Sequence, residues 1–363
     1  MDKTKKKNKL QTIAVATKEF TWLMVFLSTL LIVGLYCCGW DNTHNLYELG
    51  TPFTPWQIPL YTGFFLTSGT LLISWYRNIQ QGYHWKNAAP LGYGLSTIGI
   101  AIIACGWLGD ILWQLMFGIA SNLEAFLSPT RLIISVGIAL VLLGPFRSSR
   151  LIKVSEVGYF QQYIPSLLSM SYVLALLSYC VQYIHPFAHT VAAISENPTH
   201  IELGAVTNAG FEHLSTMQQA IGLAGIMVAT ALLATGTLLL ALHWKKLPFG
   251  SFSVLLLSST VGLVVINEKV LTTGVMPIFA CIVAAGIITD FFNIYFSPTI
   301  EQVLPFRIFL VSNSVVLYTL YFLTILIFGG GIWWSPSLWA GAIILAGTTT
   351  VLVSYVAIPP GTT

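Results

Sequence analysis

Charge is what this chain has least of: only 8% of its 363 residues are Asp, Glu, Lys or Arg, against roughly a quarter in an ordinary soluble domain. That shortage excludes a soluble enzyme. Strict polar-apolar alternation is also missing. A transmembrane β-barrel needs strands of about ten residues with a polar lumen face, and runs such as Val254 to Ile266 do not alternate. Cysteine is sparse as well: Cys37 and Cys38 are adjacent, and Cys105, Cys180 and Cys281 lie in apolar stretches. An odd set in apolar surroundings is no disulfide framework; such thiols behave as small hydrophobes. Gly-rich phosphate loops, low-complexity tracts, methionine clusters and nucleic-acid patches are absent from the sequence.

Apolar residues are abundant. They make up 55% of the chain, and because one crossing takes about 20 of them, the supply suffices for about ten spans. The sequence therefore predicts an all-α, polytopic helical membrane protein with about ten transmembrane helices in five hairpins. Apolar runs bounded by charge, Pro and Gly place the spans at Thr21 to Cys38, Ile58 to Trp75, Gly92 to Leu115, Ser128 to Leu143 and Ile164 to Tyr183. The remaining five are Met217 to Leu242, Ser251 to Ile266, Met276 to Phe296, Ile308 to Phe328 and Pro336 to Ile358. On this reading residues 1–20 form a basic N-terminus, 21–358 a single transmembrane domain with a long outer loop at 184–216, and 359–363 a short tail. The first run lacks a small-residue cleavage site and reads as a retained anchor.

The few charges order the topology. Cytoplasmic loops collect Lys and Arg, and with the N-terminus inside, fourteen of the sixteen basic residues fall on the inner side. Only Arg131 and Lys269 lie outside, whereas Asp41, Glu48, Glu124, Glu196, Glu202, Glu212 and Glu268 gather there. This predicts an inner- or plasma-membrane type protein with both termini cytoplasmic, its basic start touching anionic lipid. Histidine is skewed too: His44, His185, His189, His200 and His213 are outer, His84 and His243 inner. Polar chemistry is expected on the outer face.

Three hairpins share a pattern. Cys38-Gly39-Trp40-Asp41 precedes Phe53-Thr54-Pro55; Cys105-Gly106-Trp107, with Asp110 a turn later, precedes Phe126-Leu127-Ser128-Pro129; and Gly330-Gly331-Ile332-Trp333-Trp334-Ser335-Pro336 is a compressed version. Proline suits the first turn of a helix and Trp the membrane interface, so those preferences alone generate much of the pattern; duplication explains it equally well.

Several residues carry candidate chemistry. His185 and His189, four apart in His-Pro-Phe-Ala-His, would share one helix face, and with His200, Glu202, Glu212 and His213 they form the densest set of potential metal ligands, copper or zinc. The alternative is an amphipathic interfacial helix from Pro186 to Ile194 with solvated histidines. Asp41 and His44, three apart in a loop above the first span, read first as a solvated turn and otherwise as a weak acid-imidazole or metal half-site. Asp110 and Arg131 face each other across the second hairpin as an ion pair, which Glu124 could join, or Arg131 binds a substrate carboxylate. Asp290, within an apolar run, is a proton or ion relay candidate, or a boundary residue near Arg307.

The first two hairpins resemble the C subunit of copper membrane monooxygenases, the particulate methane and ammonia oxidising type. That family carries an Asp, a His four residues on, and a Phe-Thr-Pro-x-His string opening the next helix, which together hold copper. Phe53-Thr54-Pro55-Trp56-Gln57 resembles that string with Gln57 in the His position, and Phe126-Leu127-Ser128-Pro129-Thr130-Arg131 resembles its sister version with Arg131 there. Asp41 and Asp110 match the acid, but Asn45 and Gln114 stand four residues on, and His44 is one residue early. Copper on nitrogen and carboxylate ligands wants imidazoles. The resemblance thus implies a copy that has lost the second-hairpin metal site.

Three functions are expected in this order: a non-catalytic membrane subunit or binding protein that partners other membrane subunits or its own copies, a secondary transporter using Asp290, Asp110 or Arg131, and a metal-dependent oxidoreductase.

Overall fold

The structure is a computed structural model, and it describes residues 14–44, 54–118, 127–151, 159–197, 208–244, 247–267, 274–296 and 302–358. A helix covers each of the ten apolar stretches. In chain order these are α1 (Lys18–His44), α2 (Ile58–Gln80), α3 (Gly94–Phe117), α4 (Pro129–Leu142), continued after Leu143 by the short α5 (Gly144–Leu151), and α6 (Tyr159–Cys180). Then come α7 (Asn208–His243), α8 (Ser251–Ile266), α9 (Met276–Phe296), α10 (Val303–Phe328) and α11 (Pro336–Ala357). No strand occurs among the described residues, where the nearest approach to one is an isolated bridge between Ala193 and Ile332. Eight of these segments are long and apolar enough to cross a membrane, with α4 and α5 taken together. The chain is a polytopic helical membrane protein that associates with the lipid bilayer. Of the other two helices, α2 is the less apolar, and α8, with 16 residues, reaches about 24 Å, short of a hydrocarbon core of about 30 Å.

The chain divides into two compact units, Met1–Leu176 and Leu177–Thr363. In the first, α1 packs on α2 and α3 on α4, and α2 also touches α3. Glycines set the spacing. A Cβ on Gly99 would sit 2.7 Å from the Gly137 carbonyl oxygen, and one on Gly137 2.8 Å from that of Gly99. Close approach on small residues is how helices associate where lipid offers no hydrophobic drive. Polar contacts add to it: Tyr36 donates to the Ala175 carbonyl at 3.0 Å, and the Thr29 and Tyr172 hydroxyls meet at 2.7 Å, fastening α6 to α1. Arg147 on α5 donates to the Gly92 and Leu140 carbonyls and to the Ser96 hydroxyl, pinning the start of α3 to the end of α4.

In the second unit, α8, α9, α10 and α11 pack in sequence, and α11 and α8 both contact α7, closing the circuit. Its interior is apolar, with Leu238, Phe252, Phe306, Phe309 and Leu310 clustered together. Hydroxyl and amide pairs thread it. Thr289 donates to Asn313 at 2.9 Å, and the Ser314 and Thr350 hydroxyls meet at 2.6 Å. In a bilayer each such group needs a protein partner, because no water is present to supply one.

Helix starts follow local chemistry. Ser128 before Pro129 and Ser335 before Pro336 both present Oγ to a backbone N–H three residues on, Arg131 at 3.4 Å and Leu338 at 3.3 Å. A Ser N-cap with Pro at the first helical position satisfies one orphan donor and removes another.

Candidate functional site

The polar cluster of the first unit lies at the His44 end of α1. That helix runs past Cys38, so Asp41 and His44 stand on its last turn and not in the expected loop. His44 stacks on Trp40, ring centroids 4.2 Å apart, and its Nδ1 lies 3.0 Å from the Trp40 carbonyl oxygen. Asp41 is buried, and its Oδ2 accepts from the Thr54 hydroxyl at 2.9 Å, immediately before the Pro55 turn that leads into α2. Its Oδ1 is buried with no hydrogen-bond partner among the described residues.

The second hairpin repeats the clasp. Asp110 on α3 accepts from the Thr130 hydroxyl at 2.6 Å, beside Pro129 at the start of α4, and its other oxygen accepts from the Gln114 amide at 2.8 Å. Among the described residues the Asp110 carboxylate is engaged by these two groups and not, as expected, by Arg131. Thr130, one residue earlier on α4, meets one oxygen, and Gln114, one turn further along α3, takes the other. Gln57 accepts from the Tyr61 hydroxyl at 3.1 Å. Tyr61 and Phe64 on α2 pack edge-on against Trp107 of α3, at 5.3 and 4.5 Å. Asp41 and Arg131 both lie within electrostatic range of the Cys38 thiol, and Asp110 within range of Tyr61, so the two clasps share one polar region.

No family model, curated protein or solved structure matches this chain. The site is therefore read from its own geometry.

Among the described residues, no three His, Cys, Asp or Glu side chains come together as a metal site. That holds for Asp41 and His44 and for His185, His189 and His213 of the second unit. Glu124, His200 and Glu202 lie outside the described residues, and His213 sits exposed on the first turns of α7. That helix begins at Asn208, so the outer loop is shorter than 184–216.

The His-Pro-Phe-Ala-His segment is not an interfacial helix. Residues 181–193 form successive turns folded into the second unit, and Ile194–Glu196 is one 3-10 turn. His185 is buried, with Nδ1 accepting from the Phe187 N–H at 3.3 Å, while His189 reaches the surface. The segment is held by its neighbours. Tyr321 donates to the Pro186 carbonyl at 3.0 Å, and the Trp333 indole donates to the Val191 carbonyl at 2.6 Å. Backbone bonds join Trp333 to Ala192 and Ile194 to Gly331. Burial, with a smaller push from His189, holds the His185 imidazole down to about 3, and burial lowers His189 too, against an opposing pull from Glu196. A neutral imidazole accepting a backbone N–H is a structural element. Beside it lies a small cavity lined by His189, Gly222, Tyr321 and Trp334, and the buried Trp334 indole nitrogen has no partner among the described residues.

Asp290 is fully buried. Its Oδ1 accepts from the Phe252 N–H at 3.0 Å, and its Oδ2 from the Ser253 N–H at 3.0 Å and the Ser253 hydroxyl at 2.6 Å. It caps the N-terminus of α8, where orphan amides and the helix dipole both favour a carboxylate. Gly250, at φ +91°, occupies the cap position, where there is no side chain to do this. Arg307 mirrors it by donating to the Ile358 carbonyl at 2.6 Å beyond α11, its guanidinium stacked 3.6 Å from the Tyr355 ring. Sequence reasoning missed Thr54 and Thr130. Their signal was present: each flanks a helix-opening proline opposite an acid one hairpin arm away.

Proposed function

We propose that this chain is a non-catalytic integral membrane subunit or binding protein of a larger membrane assembly, with an outward-facing polar site at the joined ends of its first two hairpins. Ten helices cross as five hairpins with both termini cytoplasmic, and the first two hairpins descend from a duplication. The basic-residue distribution supports this topology, and the two Cys-Gly-Trp strings with an acid close behind each support the duplication.

One observation carries the functional reading: in a cluster where Asp110 is satisfied on both oxygens, Asp41 keeps a buried oxygen with no partner among the described residues. A buried acceptor left unpaired costs about 1–3 kcal/mol, and a donor from a bound group or neighbouring chain removes that cost. Gln57 and Arg131 at the ligand positions make the site one that receives a donor, not one that holds copper. Transport through Asp290 is disfavoured because its carboxylate is already engaged by α8.

The test is isolation in mild detergent followed by mass spectrometry of everything that travels with the chain. Co-isolated protein chains, or a stoichiometric small molecule other than phospholipid, are expected. A monodisperse monomer alone would overturn the proposal.

A further inference from the structure

The opposite end of the first unit holds an open cleft that the outer site does not explain. It encloses about 360 Å³ of unfilled space including its mouth, and it lies where the residues leading into α1 meet α5 and α6. Its walls carry Thr17, Lys18, Thr21, Ser148, Ser149 and Gln161, and among the described residues no carboxylate lines it. The entry to α1 is fixed: Ala14 pairs through its backbone with Asn87 and Leu91, and the Thr17 hydroxyl caps the helix by accepting from the Phe20 N–H at 3.2 Å. The cleft thus collects Lys18, several hydroxyls and the positive end of a 27-residue helix whose first turn also carries Glu19.

A second observation is independent of that helix end. Ser148 is fully buried, lines the cleft, and its Oγ has no hydrogen-bond partner among the described residues. A buried hydroxyl left unpaired costs stability, and an anion oxygen in the cleft would supply the partner. Arg150 follows Ser149 in sequence. Lys18, the hydroxyls and the helix end together favour an anion.

We infer that this cleft binds a phosphate-bearing group, held by Lys18, the α1 N-terminus and the Ser148 hydroxyl. The chemistry is shared by the headgroup of an anionic phospholipid and by free phosphate, and a cleft at the cytoplasmic end of a membrane helix is open to both.

The experiment uses full-length protein depleted of lipid, with thermal unfolding and native mass spectrometry as readouts. One arm adds inorganic phosphate; the other reconstitutes the protein into phosphatidylcholine discs with or without phosphatidylglycerol. Saturable stabilisation by inorganic phosphate identifies a free anion. Stabilisation and retained lipid only with phosphatidylglycerol identify a headgroup. In either case Lys18→Gln and Ser148→Ala are expected to weaken binding about tenfold, Lys18→Arg to restore it, and Lys86→Gln, which lies outside the cleft against Trp85, to leave it unchanged. Stabilisation in neither arm would overturn the inference, and so would equal binding by wild type, Lys18→Gln and Ser148→Ala.

Discussion

Replacing Asp290 separates a structural acid from a relay. Its carboxylate accepts two backbone N–H groups and one hydroxyl at the start of α8. In Asp290→Ala the two amides lose their acceptor inside the protein, and at about 1–3 kcal/mol for each buried orphan the expected cost is about 2–6 kcal/mol. Asp290→Asn keeps one acceptor oxygen but turns an NH2 toward a donor and gives up the charge, so roughly 2–3 kcal/mol is expected. Ser253→Ala removes one of the three bonds and leaves no orphan, for about 1 kcal/mol. Unfolding of the purified protein in detergent measures the ranking, and hydrogen exchange at the Phe252 and Ser253 amides localises it. If Asp290→Asn lies within about 0.5 kcal/mol of wild type while abolishing ion-coupled uptake in proteoliposomes, the capping role is wrong and the relay role right.

Other outcomes follow from the same contacts. A double-mutant cycle of Asp110→Asn with Thr130→Val is expected to show coupling of about 0.5–3 kcal/mol, and the cycle of Asp110 with Arg131 less; the reverse order would restore the ion pair. His185 is buried with its imidazole held down to about 3, so the unfolded chain takes up a proton near its ordinary value of about 6.5 while the folded chain does not. Stability is therefore full above that value and falls as the pH drops toward 3, by about 2 kcal/mol between pH 7 and pH 5; a His185→Gln variant should lose this slope, and an unchanged slope would show that His185 is not the group responsible. A Cβ on Gly225 would collide with the Ile184 carbonyl oxygen, so Gly225→Ala is expected to cost about 1–3 kcal/mol and to raise hydrogen exchange in residues 181–193. No change would mean the turn segment does not pack there.

Much of the fold was legible because its signal is one-dimensional. Apolar runs long enough to cross a bilayer must be helical, since every backbone group has to be satisfied within the segment, and a helix covers all ten runs. Ends were harder to read. α1 and α7 extend beyond their apolar cores, which moved Asp41 and His44 onto a helix and His213 out of a loop. Periodicity speaks about one helix at a time, whereas partners come from tertiary contact. Thr130 lies beside Arg131 in sequence, and only the rotation of α4 decides which of them meets Asp110. The spacing of His185 and His189 promised one helical face, but Tyr321 and Trp333 from distant sequence hold that segment in turns. Asp290 looked exceptional because the amides it caps lie 37 and 38 residues away.

The central claim is that Asp41 receives a donor from outside this chain. It is tested most directly by isolating wild type and Asp41→Asn in mild detergent, confirming equal folding, and comparing what co-isolates by quantitative mass spectrometry. Partner chains or a stoichiometric small molecule are expected with wild type, and a marked loss of them with Asp41→Asn. The same co-isolating species in equal amounts from both, or none from either, would contradict it.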